Sequence, residues 1–133
     1  VSNKGDLEFM FFQGGMNADI FKEFCSKLIS SMSKPVYLIV DNLNVHHANI
    51  LKPWFAEQTQ TNGFEIFYLP SYSPELNPDE YLNRDVKAHL AEKKIPKSSK
   101  ALQKAVKRHL LFRKCNREAV IKLFHKREVL YAA

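Results

Sequence analysis

Two acidic side chains stand in this sequence where chemistry could be done. Asp41 follows the apolar run "PVYLIV" at 35–40, and Glu80 follows "LNPD" at 76–79. Each has a plain reading. Asp and Asn favour chain reversal, so Asp41 and Asn42 can form a turn. Asn77 can cap a helix beginning at Pro78, with Glu80 at the third helical position reaching back to the Asn77 amide as a capping box. The sharper reading uses the same geometry. An Asp at the carboxyl end of a buried parallel strand sits where open α/β sheets place their sites. A helix start behind a rigid proline loop fixes Glu80 in direction. Two carboxylates brought together without a basic neighbour repel, and a hard divalent cation, Mg2+ or Mn2+, relieves that cost. Such ions activate a water or hydroxyl for in-line phosphoryl displacement.

The elements that must hold these acids follow from the apolar pattern. "LEFMFFQGG" at 7–15 reads as a strand and turn. Asn17 is placed to cap a helix in which Ile20, Phe21, Phe24, Cys25, Leu28, Ile29 and Met32 repeat at three-to-four spacing. The run 35–40 is expected to be a strand covered on both faces. A helix is expected over 47–60, with Leu51, Trp54 and Phe55 inward and Pro53 starting or bending it. "FEIFYL" at 64–69 is a third strand. Alternation of strand and helix implies α/β architecture with a parallel, right-handed crossover. The loop "PSYSPELNP" leads into a helix over about 78–91, and two short amphipathic helices follow the basic break "KKIPKSSK". Leu102, Ala105, Val106, His109 and Leu110 mark the first; Ala119, Val120, Leu123 and Phe124 mark the second.

The chain of 133 residues suggests one domain, with 92–133 as its basic helical portion. Residues 1–83 hold 5 Lys or Arg against 10 Asp or Glu, whereas residues 84–133 hold 15 against 4. A basic half joined to an acidic half is a candidate polyanion surface, although exposed helix faces are often lysine-rich for solvation alone. No apolar run approaches the roughly 18 residues of a membrane span. Lys4, Asp6 and Glu8 interrupt any secretory signal at the start. Cys25 and Cys115 fit no metal or redox spacing and are expected as reduced, mostly buried thiols in a reducing interior.

"YLIVDNLNVHH" at 37–47, followed by "FYLPSYSPELNPDEYLNRDVK" at 67–87, resembles the catalytic domain of insertion-sequence and mariner-type DDE transposases over about residues 5–90. The resemblance implies an RNase H-like fold, a mixed sheet flanked by helices. Asp41 matches the family's second catalytic aspartate and Glu80 its final acid, with 38 residues between them, somewhat more than the family pattern usually has. The first catalytic aspartate belongs on an opening strand upstream of the segment that 7–13 resembles. Asp6 precedes its strand instead of interrupting it. The expectation is therefore an N-terminally truncated domain lacking its first strands and first aspartate, and inactive alone.

The implied function is metal-dependent DNA strand cleavage and strand transfer, in the bacterial cell interior with the chromosome. Implied partners are transposon ends, target DNA and a further copy of the chain, with no membrane. Asn42 and His46 match the "DN…H" part of the motif and Asn77 its "LNP"; all three also have turn, packing or cap readings. Arg84 and Lys87, one and two turns after Glu80, are candidates for phosphate contacts, and Lys93, Lys94 and Lys97 less specifically. Tyr72 and Tyr81 could stack or bind phosphate, with aromatic core duty the plainer reading. The rival readings are a related RNase H-like nuclease and a non-catalytic DNA-binding or dimerisation remnant.

Overall fold

A computed structural model describes residues 1–43, 49–92, 96 and 98–133. The chain divides into two compact units, Met10–Pro74, and Val1–Phe9 together with Glu75–Ala133.

The unit Met10–Pro74 opens with α1, Ala18–Ser31, where the Asn17 side chain accepts from the Ile20 amide at 2.9 Å. This satisfies one of the orphan donors of the first turn. Phe21 and Cys25 form the buried stripe of α1. β1, Tyr37–Val40, pairs in parallel with β2, Glu65–Tyr68, in the register Tyr37 to Glu65 through Val40 to Tyr68. The pairing extends by one bond at each end, from the Glu65 amide to the Val36 carbonyl and from Leu69 to Val40. Parallel neighbours need a crossover. Here it is a 3₁₀ turn, Asn49–Leu51, followed by α2, Lys52–Asn62. Pro53 lies in the first turn of α2, where its missing N–H costs nothing. Gly63 ends the helix at φ 63°, and a Cβ there would come 3.1 Å from Cβ of Pro35. Phe21, Cys25, Leu51 and Phe64 make the core, with Leu38, Val40, Trp54, Phe55 and Ile66 packed against it.

In the second unit, Asn77 precedes α3, Pro78–Glu92. α4, Ser99–Lys114, is capped by Ser98, and α5, Arg117–Ile121, by Asn116. Two 3₁₀ segments, Lys122–His125 and Arg127–Ala132, complete the unit. The amino-terminal arm packs here through Leu7, which is buried, as are Val120, Phe124 and Val129. Arg117 Nη2 donates to the Lys4 carbonyl at 2.7 Å, and Lys114 Nζ lies 2.5 Å from Glu8 Oε1.

Several expectations are corrected. Residues 7–13 form no strand, and the sheet among the described residues has two strands, not three. The segment is divided between the two units at Phe9 and Met10, so it offers neither of them a continuous ladder. β1 is not covered on both faces, for Tyr37 and Ile39 are exposed while Leu38 and Val40 face the core. The helix after 98 is not short but sixteen residues long. Cys115 is exposed. Tyr72 takes no core role: it is fully exposed, with φ 59°. α1, β2 and α3 fall within a residue or two of their expected ranges, whereas α2 begins at Lys52, after a 3₁₀ turn at Asn49–Leu51, and not at 47.

Candidate active-site carboxylates

Asp41 is the first residue after β1 and is half-buried. It occupies the carboxyl end of a parallel strand, the edge at which open α/β sheets bind ligands. Asn42, beside it, donates from Nδ2 to Ser71 Oγ at 2.7 Å. Ser71 lies just past the end of β2, so this bond ties together the two loops that leave the same edge of the sheet. Asn42 therefore acts on loop geometry. His46 falls outside the described residues, as do Lys93, Lys94 and Lys97.

Glu80 lies in the first turn of α3, half-buried. Asn77 Oδ1 accepts from the Asp79 amide at 3.0 Å, and the Glu80 amide donates to the Asn77 carbonyl at 3.0 Å. The Glu80 carboxylate does not reach back to close the capping box. Among the described residues it has no hydrogen bond or ion pair. A carboxylate in the first turn is favoured by the helix dipole even without a partner. Asn77 is thus a cap, and Glu80 is left available.

One turn on, the Arg84 guanidinium lies over the Tyr81 ring, 4.8 Å from its centroid, and Tyr81 Oη donates to the Glu75 carbonyl at 3.3 Å. The stacking holds the exposed Arg84 against the Tyr81 ring, and a guanidinium on the surface suits phosphate oxygens. Lys87 is exposed on the same helix. Asp6 is engaged elsewhere: Ser2 Oγ donates to it at 2.9 Å and Arg117 pairs with it at 3.5 Å.

Sequence reasoning missed one cluster, which joins α3 to α4. Asp85 accepts from Arg113 through both of its oxygens and lies 2.7 Å from His109 Nε2. Burial alone would raise the Asp85 carboxyl, but the hydrogen bonds from Arg113 and His109, and their positive charges, outweigh it and hold the carboxyl below its usual range. The signal was present. Asp85 falls between Leu82 and Val86 on the inward stripe of α3, and His109 with Arg113 one turn later marks the inward face of α4. Opposite charges at inward positions of successive helices point to such a pair.

Cys25 is no nucleophile, because burial pushes its thiol up to about 12. Among the described residues no three His, Cys, Asp or Glu gather into a metal-ligating group, and no helix is long and apolar enough to cross a membrane.

The family described as DDE superfamily endonuclease matches residues 1–103, a stretch that contains both Asp41 and Glu80. The chain belongs to the DDE superfamily endonucleases. No curated protein and no solved structure matches it. The match to the DDE family ends within α4, so the rest of that helix, α5 and the terminal 3₁₀ segments lie beyond it. For a DDE endonuclease domain the donor chemistry is apt: Asp41 and Glu80 supply only oxygen ligands, which hard divalent cations prefer.

Proposed function

We propose that this chain is the catalytic domain of a DDE transposase with an RNase H-like fold, acting on DNA by metal-dependent strand cleavage and strand transfer. Asp41 and Glu80 hold Mg2+ or Mn2+. When bound, such ions activate a water and then a 3′-hydroxyl and neutralise charge on the phosphoryl group. The protein's own part is positioning. The Asn42 bond to Ser71 holds the loop that carries Asp41, the Asn77 cap fixes the first turn that carries Glu80, and Arg84 and Lys87 meet flanking phosphates. The substrates on this reading are transposon ends and target DNA, engaged by more than one copy of the chain in the cell interior.

The observation that carries the proposal is the Glu80 carboxylate, set at a helix start without a partner among the described residues, in a chain whose family match spans Asp41 as well. Since no residue of this chain is assigned as the family's first aspartate, cation uptake is a better test than turnover. Calorimetric titration with manganese should register a binding event that Asp41→Ala and Glu80→Ala each abolish and Asp79→Asn retains. Uptake unaltered by either alanine substitution would refute the assignment.

A second reading, a DNA-binding remnant without catalysis, is favoured by the charge of residues 84–133. It predicts salt-sensitive DNA binding indifferent to Mg2+ and to Asp41→Ala.

A further inference from the structure

We propose that the outward face of α4 docks on the phosphate backbone of duplex DNA through Lys100, Lys104, Lys107 and Arg108. The proposal rests on the reading of the chain as a DNA-acting endonuclease and names a surface which that reading does not include.

α4 contains six Lys or Arg and no acidic residue. Its inward face is spoken for, with His109 buried and Arg113 bound to Asp85 of α3. That attachment determines which face is left outside. At 3.6 residues per turn, the four cations fall within an arc of about 100° and along about 12 Å of the helix. All four are exposed, and among the described residues none enters an ion pair. The other two cations of the helix differ, since Arg113 is paired with Asp85 and Lys114 with Glu8.

A lysine-bearing face that serves only solvation commonly carries acids one turn away. In α1, for example, Lys27 meets Glu23 at 2.5 Å. In α4 the i, i+4 neighbours are like charges, Lys100 with Lys104 and Lys104 with Arg108, a pattern that weakens an isolated helix. A partner of high negative charge density removes that repulsion, and duplex DNA carries one charge per about 1.7 Å of axis. A lipid surface fits less well, because a helix lying in a membrane needs the face opposite its cations free and apolar, and here that face is tied to α3 through the buried His109 and through Arg113, both bound to Asp85. Lys104, Lys107 and Arg108 lie beyond the stretch the family matches, and Lys100 lies within it.

The test is anisotropy of a labelled duplex of about 20 base pairs, titrated with the full chain in EDTA across a salt series. Each cation facing a phosphate contributes about 0.9 to the slope of log affinity against log salt, so replacing Lys104, Lys107 and Arg108 by Gln should lower the slope by about 2 to 3. Binding at low salt should weaken at least tenfold, while Lys52→Gln behaves as the unsubstituted chain. An unchanged slope in the triple variant, no duplex binding by the unsubstituted chain, or tighter binding to phosphatidylserine vesicles than to DNA would each overturn the proposal. Since no metal is present, the outcome is independent of manganese uptake at Asp41 and Glu80. Either claim can fail while the other stands.

Discussion

His109 Nε2 lies 2.7 Å from Asp85 Oδ2, and the contact is closed in by Arg113, whose Nε donates to the same oxygen at 2.8 Å, and by His89, whose ring stacks on that of His109 at 4.0 Å. This joint pins α3, which carries Glu80 in its first turn, to α4, whose other face carries the exposed cations. The single acid Asp85 thus couples the placement of a candidate catalytic carboxylate to that of a candidate DNA surface.

Asp85→Ala should therefore destabilise the chain by about 2–3 kcal/mol, because it removes charge-assisted hydrogen bonds and leaves the buried His109 without its acceptor. Urea denaturation at neutral pH measures this directly. Asp79→Ala, which alters an exposed acid in the same helix, should cost far less.

The joint also imposes a pH dependence whose sign follows from Asp85. Its folded carboxyl is held below the usual value of 3.8, so its contribution is complete above that value and is lost as pH falls through the lower, folded value. Thermal melts between pH 7 and pH 2.5 should show the unsubstituted chain losing more stability below about pH 4 than Asp85→Asn does. Parallel acid profiles for the two would show that the carboxylate is not stabilised by its partners.

The cysteines should react at different rates. Burial holds the Cys25 thiol near 12, whereas Cys115 is exposed. Iodoacetamide at pH 8 on the folded chain should label Cys115 and spare Cys25, with both labelled in denaturant, as peptide mass mapping would report.

Gly5→Ala should be poorly tolerated. Gly5 has φ 87°, and a Cβ there would stand 2.7 Å from the Arg117 carbonyl oxygen, a backbone atom that cannot give way cheaply. A loss of about 1–3 kcal/mol in chemical denaturation is expected.

Much of the α/β unit was legible in the sequence, since its signals are local and agree. Asn17 caps α1, and the apolar runs at 35–40 and 64–69 have strand length. The segment 7–13 misled because apolar, β-rich composition describes a strand's side chains but not whether a ladder partner exists. In the structure Leu7 is buried in the helical unit, while Phe11 and Phe12 belong to the other unit and stay exposed. The two carboxylates stand out in the sequence as motif residues, and whether Glu80 closes a capping box on Asn77 was a question of side-chain geometry that the sequence could not answer. The Asp85 cluster was harder to see because its members are 24 and 28 residues apart, and each, taken alone, reads as an ordinary polar helix residue.

The central claim, that Asp41 and Glu80 bind one divalent ion together, is tested most directly by replacing that ion with Fe2+ and adding ascorbate and peroxide. Radicals generated at the bound iron cut the backbone beside its ligands. The account predicts two cuts, one next to residue 41 and one next to residue 80, both suppressed by excess Mn2+ and both lost in either Asp41→Ala or Glu80→Ala. Cleavage at one site alone, or at both sites with one persisting after the other acid is removed, would contradict it.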